Sequence, residues 1–248
     1  MKKNFTYLVL LLLVVWMASC GKAPVCDCFD SAGKTATQNR ELDFFTQIVV
    51  NDNINVYLTT GNPEKVMIEG GGNLISNIVT NVNGGVLTLK NNNICNWLRS
   101  YKKSGINVYI TMPQLTTITN SGYGTVYSQG TLTFDSLELY TTNSPGDINL
   151  TVNSNYINAH MFGTADLTLA GQCQTFLTNY FGGTGFIYNN NLVITNYSFV
   201  SSNTTGDCYI NCQGTLAVKI FGQGNVYYTG SPTLQYSSEG GSGELIKD

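Results

Sequence analysis

The chain has 248 residues and a formal charge of −3, from 12 Lys and Arg against 15 Asp and Glu, with a single His. Charged side chains make up only 11% of it. Its few cations are scattered, so there is no basic patch to neutralise phosphates, and nucleic acid is not an expected partner.

Met1-Lys2-Lys3 supplies two positive charges, and residues 5–17 are almost wholly apolar. That run is too short for a bilayer core, which needs about 20 residues. A basic start, a short apolar run and the small residues Ala18-Ser19 describe a secretory signal peptide over residues 1–19. Cys20 directly after them makes the segment resemble a bacterial lipoprotein signal, cleaved before Cys20, whose thiol would receive a diacylglycerol. The resemblance implies lipidation of Cys20 and a membrane anchored through that lipid. Gly21 follows instead of Asp, which by the same resemblance favours the outer membrane of a Gram-negative bacterium, with the head facing the periplasm or the cell surface. Without Lys2 and Lys3 the chain keeps ten basic and fifteen acidic side chains, a formal charge of −5.

Residues 20–40, with Pro24, Gly33 and Thr35-Ala36-Thr37-Gln38, read as a tether. Residues 41–248 read as a single domain, of which 41–118 form an amino-terminal β region with alternating runs at 47–58, 65–69, 86–90 and 106–112. Asn83-Gly84-Gly85 is a tight-turn signal. Residues 73–82 have room for one or two helical turns, against the influence of Gly70-Gly71-Gly72 and β-branched neighbours. Besides Cys20 there are six cysteines, which allow fifteen connectivities. A disulfide between Cys28 and Cys95 is the expected one, because both lie outside the regular coils in an oxidising compartment. The spacing Cys26-x-Cys28 suits neither a redox motif nor zinc, and no metal or other cofactor is expected.

Residues 119–248 repeat a short glycine turn. It appears as Ser121-Gly122-Tyr123-Gly124-Thr125-Val126 and returns with Gly or Ala at 146, 165, 185, 206, 224 and 243. A period near twenty residues marks a stack of coils. Two residues after each marker stand Val126, Ile148, Leu167, Ile187, Cys208, Val226 and Leu245, an apolar column expected to point inward. The residue between is mostly polar and expected to point outward. Glycine at the marker is explained by a sharp turn with φ > 0. Further corners at Gly130, Gly171, Gly214 and Gly230 divide each coil into about three strands. The fold class is therefore all-β, a right-handed parallel β-helix of about 20-residue coils, capped or started by the amino-terminal β region.

The turns, the pattern Phe45-Thr46-Gln47-Ile48-Val49-Val50, the strand Gly105-Ile106-Asn107-Val108-Tyr109-Ile110-Thr111-Met112-Pro113 and the end Tyr228-Thr229-Gly230-Ser231-Pro232 together resemble the head GIN domain family of autotransporter-adhesin-like proteins. The likeness covers roughly residues 40–246. It implies a β-helical, lipid-anchored or exported binding module and brings no catalytic residues. The family's Ser-Gly-Ser-Gly repeats have decayed here, for instance to Phe162-Gly163-Thr164-Ala165.

The residues with chemical potential are few. His160 has no nucleophile motif beside it and reads as a surface strand residue. Cys208, in the apolar column, reads as a small buried thiol. Asp147 and Asp166 occupy one position in successive coils, about 5 Å apart. They are candidate ligand-facing groups, as Ca²⁺ ligands or an acid–base pair on a glycan. Capping of the turns through backbone N–H groups is favoured, because Asn225 and Thr125 stand at equivalent places. Tyr123, Phe162, Phe181, Phe186 and Phe221, near the turns, are platforms for sugar rings or part of the core. The expected function is a lipid-anchored, adhesin-like envelope module without catalytic activity that binds a glycan or a surface protein. The alternative is a β-helical polysaccharide-active enzyme using Asp147 and Asp166.

Overall fold

The computed structural model describes residues 31–94, 105–238 and 240–248. Its first elements are β1 (Thr35–Arg40), β2 (Gln47–Val50), β3 (Ile54–Thr60) and β4 (Lys65–Gly71), one 3-10 turn at Ile75–Asn77, the hairpin β5 (Ile78–Asn83) and β6 (Val86–Asn91), then β7 (Ile106–Met112) and β8 (Thr117–Asn120). The helical turns expected at 73–82 reduce to that single turn, because from Ile78 onward β-branched Ile78, Val79, Thr80 and Val82 pair with β6. The turn of this hairpin is where the sequence places it, with Gly84 and Gly85 at φ 57° and 78°. The tether ends earlier than expected: residues 35–40 form β1, antiparallel to β4. Cys20, Cys28 and Cys95, with the lipidation and disulfide expected of them, lie outside the described residues.

The regular coils follow. β9 (Val126–Thr141), β10 (Ile148–Gly163), β11 (Leu167–Gly183) and β12 (Ile187–Asn203) each make most of a coil as one bent strand. Later coils divide into β13 (Cys208–Cys212) with β14 (Thr215–Ile220) and β15 (Val226–Thr229) with β16 (Thr233–Ser238), and β17 (Leu245–Lys247) comes last. All are parallel to their neighbours in the stack. The result is a β-solenoid of roughly 20-residue coils, each with a first leg that bends again near Gly130 or Gly171, a second leg, and the closing glycine turn, in keeping with the expected division into about three strands. In β10 the first leg buries Ile148, Leu150 and Val152 and the second buries Ile157, Ala159 and Met161. The inward phase slips at Asn155-Tyr156, where the chain rounds the corner.

The apolar column is continuous. Val126, Ile148, Leu167, Ile187, Cys208 and Val226 are register partners from coil to coil, and none is more than 1% exposed. Leu245 continues the register at the last coil. Burying one such aliphatic side chain stabilises the fold by about 1.5–3 kcal/mol, so the column contributes strongly to holding the coils together.

The reason for the glycines is not the one the sequence suggests. Gly124, Gly146, Gly185, Gly206, Gly224 and Gly243 do not adopt positive φ. Each lies so close to the coil beneath that a Cβ would collide with its backbone: the nearest carbonyl oxygen would be 2.5 Å away at Gly146, 2.0 Å at Gly224 and 1.6 Å at Gly206. Close stacking of unadorned turns, and not turn sharpness, selects glycine here. Positive φ belongs to the second set of corners, at Gly130, Gly171 and Gly230.

The stack does not begin where the chain does. β2 pairs in parallel with both β6 and β8, and β3 with both β7 and β9. The coil made by β2 and β3 is thus held between a coil made later, β6 with β7, and the start of the regular series at β8 and β9. β4 lies antiparallel on β7, and β5 antiparallel on β6, closing that end.

Candidate functional site

The outward positions sort into three lines along the stack, and the first is the acidic line. Asp166 N–H donates to Asp147 Oδ1 at 2.9 Å, and Phe186 N–H donates to Asp166 Oδ1 at 2.8 Å. Asn225 N–H donates to Asp207 Oδ1, and Glu244 N–H to Asn225 Oδ1. At the amino-terminal end, Thr125 N–H donates in the same way to Asn55 Oδ1. Each side chain ties its turn to the next one up, a bond that an amide makes as well as a carboxylate. Burial, and then the Asp147 charge, raise the Asp166 carboxyl above its ordinary range against the pull of the Phe186 N–H.

The second line is one that sequence reasoning missed. Tyr109, Tyr57, Tyr127, Asn149, Thr168, Tyr188, Tyr209 and Tyr227 are successive register partners on the outer face of the first leg. Tyr57 stacks on Tyr109 and Tyr127 at 5.0 and 5.3 Å, and Tyr209 on Tyr188 and Tyr227 at 5.6 and 5.0 Å. The rings lie within 17° of parallel, so they cover one another's faces. This arrangement strengthens the stack and leaves few faces for a ligand. Its signal was present in the regular coils, where the line falls three residues after each turn marker.

The third line runs along the corner between the second leg and the glycine turn. Phe162, Phe181 and Phe221 stand there with 48%, 51% and 42% of their surface exposed. Met161 pairs with Tyr180 and Gly163 with Gly183, so Phe162 faces the bulge Phe181-Gly182. Phe181 pairs with Asn203, and Phe221 directly follows Ile220, the partner of Ser202. Two depressions of about 330 and 460 Å³ occupy this corner, the first containing Phe162 and Phe181 and the second Asn203 and Phe221. Of the aromatic residues named from the sequence, Phe186 is half-buried and stacked on Tyr188 at 5.6 Å, and Tyr123 is exposed on its turn.

His160 borders the first depression and is stacked on Tyr140 with centroids 4.7 Å apart. Its Nε2 lies 3.5 Å from Glu138 Oε2 and 2.8 Å from Asn158 Nδ2, which also donates to Glu138. It is a surface strand residue, as read, with a carboxylate neighbour from the preceding coil. The cysteines of the coils, Cys173, Cys208 and Cys212, are buried and free, and burial pushes the Cys173 thiol up to about 12.

These features define a β-solenoid whose surface offers one line of uncovered aromatic rings. The chain belongs to the family described as "Putative auto-transporter adhesin, head GIN domain", whose model matches residues 44–232. A solved structure of a "putative adhesin" from Bacteroides fragilis NCTC 9343 is similar at 25% identity and TM-score 0.77, over 87% of this chain and 97% of that one. A "putative lipid binding protein" from Parabacteroides distasonis ATCC 8503 is 16% identical, with TM-score 0.63 over 89% and 99%. A "putative adhesin" from Parabacteroides merdae ATCC 43184 is 17% identical, with TM-score 0.60 over 88% and 98%. The two Parabacteroides proteins share the fold. No curated protein matches the chain.

Proposed function

We propose that the chain is an adhesin-like binding module of the cell envelope, anchored in the outer membrane through a lipid on Cys20, which presents its solenoid corner to a glycan or a surface protein without chemical turnover. The observation that carries this reading is the line of exposed, unstacked Phe162, Phe181 and Phe221 on a rigid corner, since large rings left in water mark a surface meant to be covered. Against the enzymatic alternative, the Asp147 and Asp166 oxygens accept backbone N–H groups of the next coil. The same position tolerates Asn225. A general acid–base pair requires carboxyl groups free to exchange protons with substrate.

The test has two arms. Cys20→Ser should abolish labelling by a radioactive fatty acid and move the protein out of the membrane fraction; unchanged labelling would refute the anchor. The full chain in detergent, screened on a glycan array and by pull-down from envelope extracts, should retain at least one partner that Phe181→Ala weakens. Loss of no partner in that variant would remove the corner from the binding surface.

A further inference from the structure

Building on that binding-module reading, we infer that the corner is a cleft for a linear, uncharged polysaccharide lying along the stack axis. The first ground is direction. Phe162, Phe181, Asn203 and Phe221 follow one another coil by coil, so the studs repeat at the coil spacing of about 4.8 Å and Phe181 and Phe221 stand roughly 10 Å apart. A ligand that touches all three must itself be long and run parallel to the axis.

The second ground is charge. Among the described residues, no Asp, Glu, Lys or Arg lines either depression. An anionic polymer such as a uronate chain, or a phosphorylated headgroup, would need cationic partners. Glu138 stands behind His160 and carries the wrong sign for such a ligand.

The third ground is the alternation of chemistry. Beside the rings, lining the same depressions, are Thr142, Asn179, Asn203 and Gln223, hydroxyl and amide groups that both donate and accept. A pyranose presents an apolar C–H face and a rim of hydroxyls, which matches rings set beside hydroxyl and amide groups. The floor is bare backbone: a Cβ on Gly183, Gly222 or Gly241 would strike the coil beneath within 2.3 Å, so the cleft cannot be filled by a side chain at those points. A protein partner would look for a contiguous apolar centre with a polar rim, whereas here the apolar groups are strung singly along an edge.

The test is calorimetric titration of the full chain in detergent with cellohexaose, laminarihexaose, maltohexaose and chitohexaose, and with a hexagalacturonate as the anionic counterpart. At least one neutral hexasaccharide should bind, and the double variant Phe162→Ala/Phe181→Ala should weaken it by about tenfold or more. Val193→Ala, an exposed apolar residue away from the corner, should leave it unchanged. Both rings being exposed, the double variant should melt like the wild type, which separates lost contact from lost fold. Preference for the hexagalacturonate, or neutral binding indifferent to the double variant, would overturn the cleft. Capture of a protein partner with no neutral sugar bound would overturn it too, while leaving the binding-module reading standing. Absence of any partner in both screens would refute the two together.

Discussion

From β10 onward every coil lies on the one that precedes it in the chain, whereas at the amino-terminal end the β2–β3 coil is sandwiched between strands made 39 to 70 residues later, as Gln47 shows by pairing with both Val86 and Thr117. The regular part is held by columns of like residues, apolar within and Asx or Tyr without. The amino-terminal part is held by antiparallel strands and by specific long-range bonds, such as Asp52 Oδ2 accepting Asn91 N–H at 2.9 Å and Arg40 donating to the Ile75 and Ile78 carbonyls. Repetition makes a stack that tolerates exchange along a column; closure of an end takes residues that have no equivalents.

Two glycines, one taken from each region, make the comparison sharpest. Gly206→Ala would place a Cβ 1.6 Å from the Gly185 carbonyl oxygen, which neither coil can evade without opening the stack. A loss of about 4 kcal/mol or more, read by denaturant titration, is expected. Gly84→Ala, in the amino-terminal hairpin, meets nothing within 4 Å and suffers only its φ of 57°, so about 1–2 kcal/mol is expected. Equal losses would mean that turn conformation, not stacking distance, selects the marker glycines.

Next in size is the inward and outward pair. Leu167→Asp buries an unpaired charge in a fully covered column and should cost about 3–5 kcal/mol. Asp166→Asn keeps the acceptor for the Phe186 N–H and should change the melting temperature little. Similar melting of the two variants would reverse the assignment of faces.

Alkali should attack the regular coils. Burial raises the Tyr180 phenol from 10.0 to about 12 and the Cys173 thiol from 9.0 to about 12, and both groups belong to that part of the stack. Raised folded values mean that their contribution is intact below the unfolded values and is lost as pH rises through the folded ones. Stability measured by urea titration should therefore decline between about pH 9 and 12, and Cys173→Ala, after correction for its lost packing, should flatten that decline. Tyr209→Ala removes two ring contacts and should cost about 0.5–1.5 kcal/mol for each of them, read by denaturant titration.

The coil period was legible because hydrogen-bonded neighbours in the stack are also neighbours in the repeat, and the Val126 to Leu245 column followed from it residue by residue. The order of β2, β3, β6 and β7 was not, since nothing local in Ile48 or Val56 records that partners come from far along the chain. Phe162, Phe181 and Phe221 were visible as residues near turns, but not as a line, because the bulge at Phe181-Gly182 shifts the count between coils. The Tyr column was countable from the markers and was overlooked because Asn149 and Thr168 interrupt it.

The most direct test of binding without turnover is chromatographic product analysis of wild type and the double variant Asp147→Asn/Asp166→Asn against a panel of polysaccharides, with binding measured in parallel. The account predicts no product from either protein and affinity largely retained in the variant, because an amide oxygen still accepts the next coil's N–H. Product from the wild type that disappears in the variant would contradict it and establish these two carboxylates as an acid–base pair.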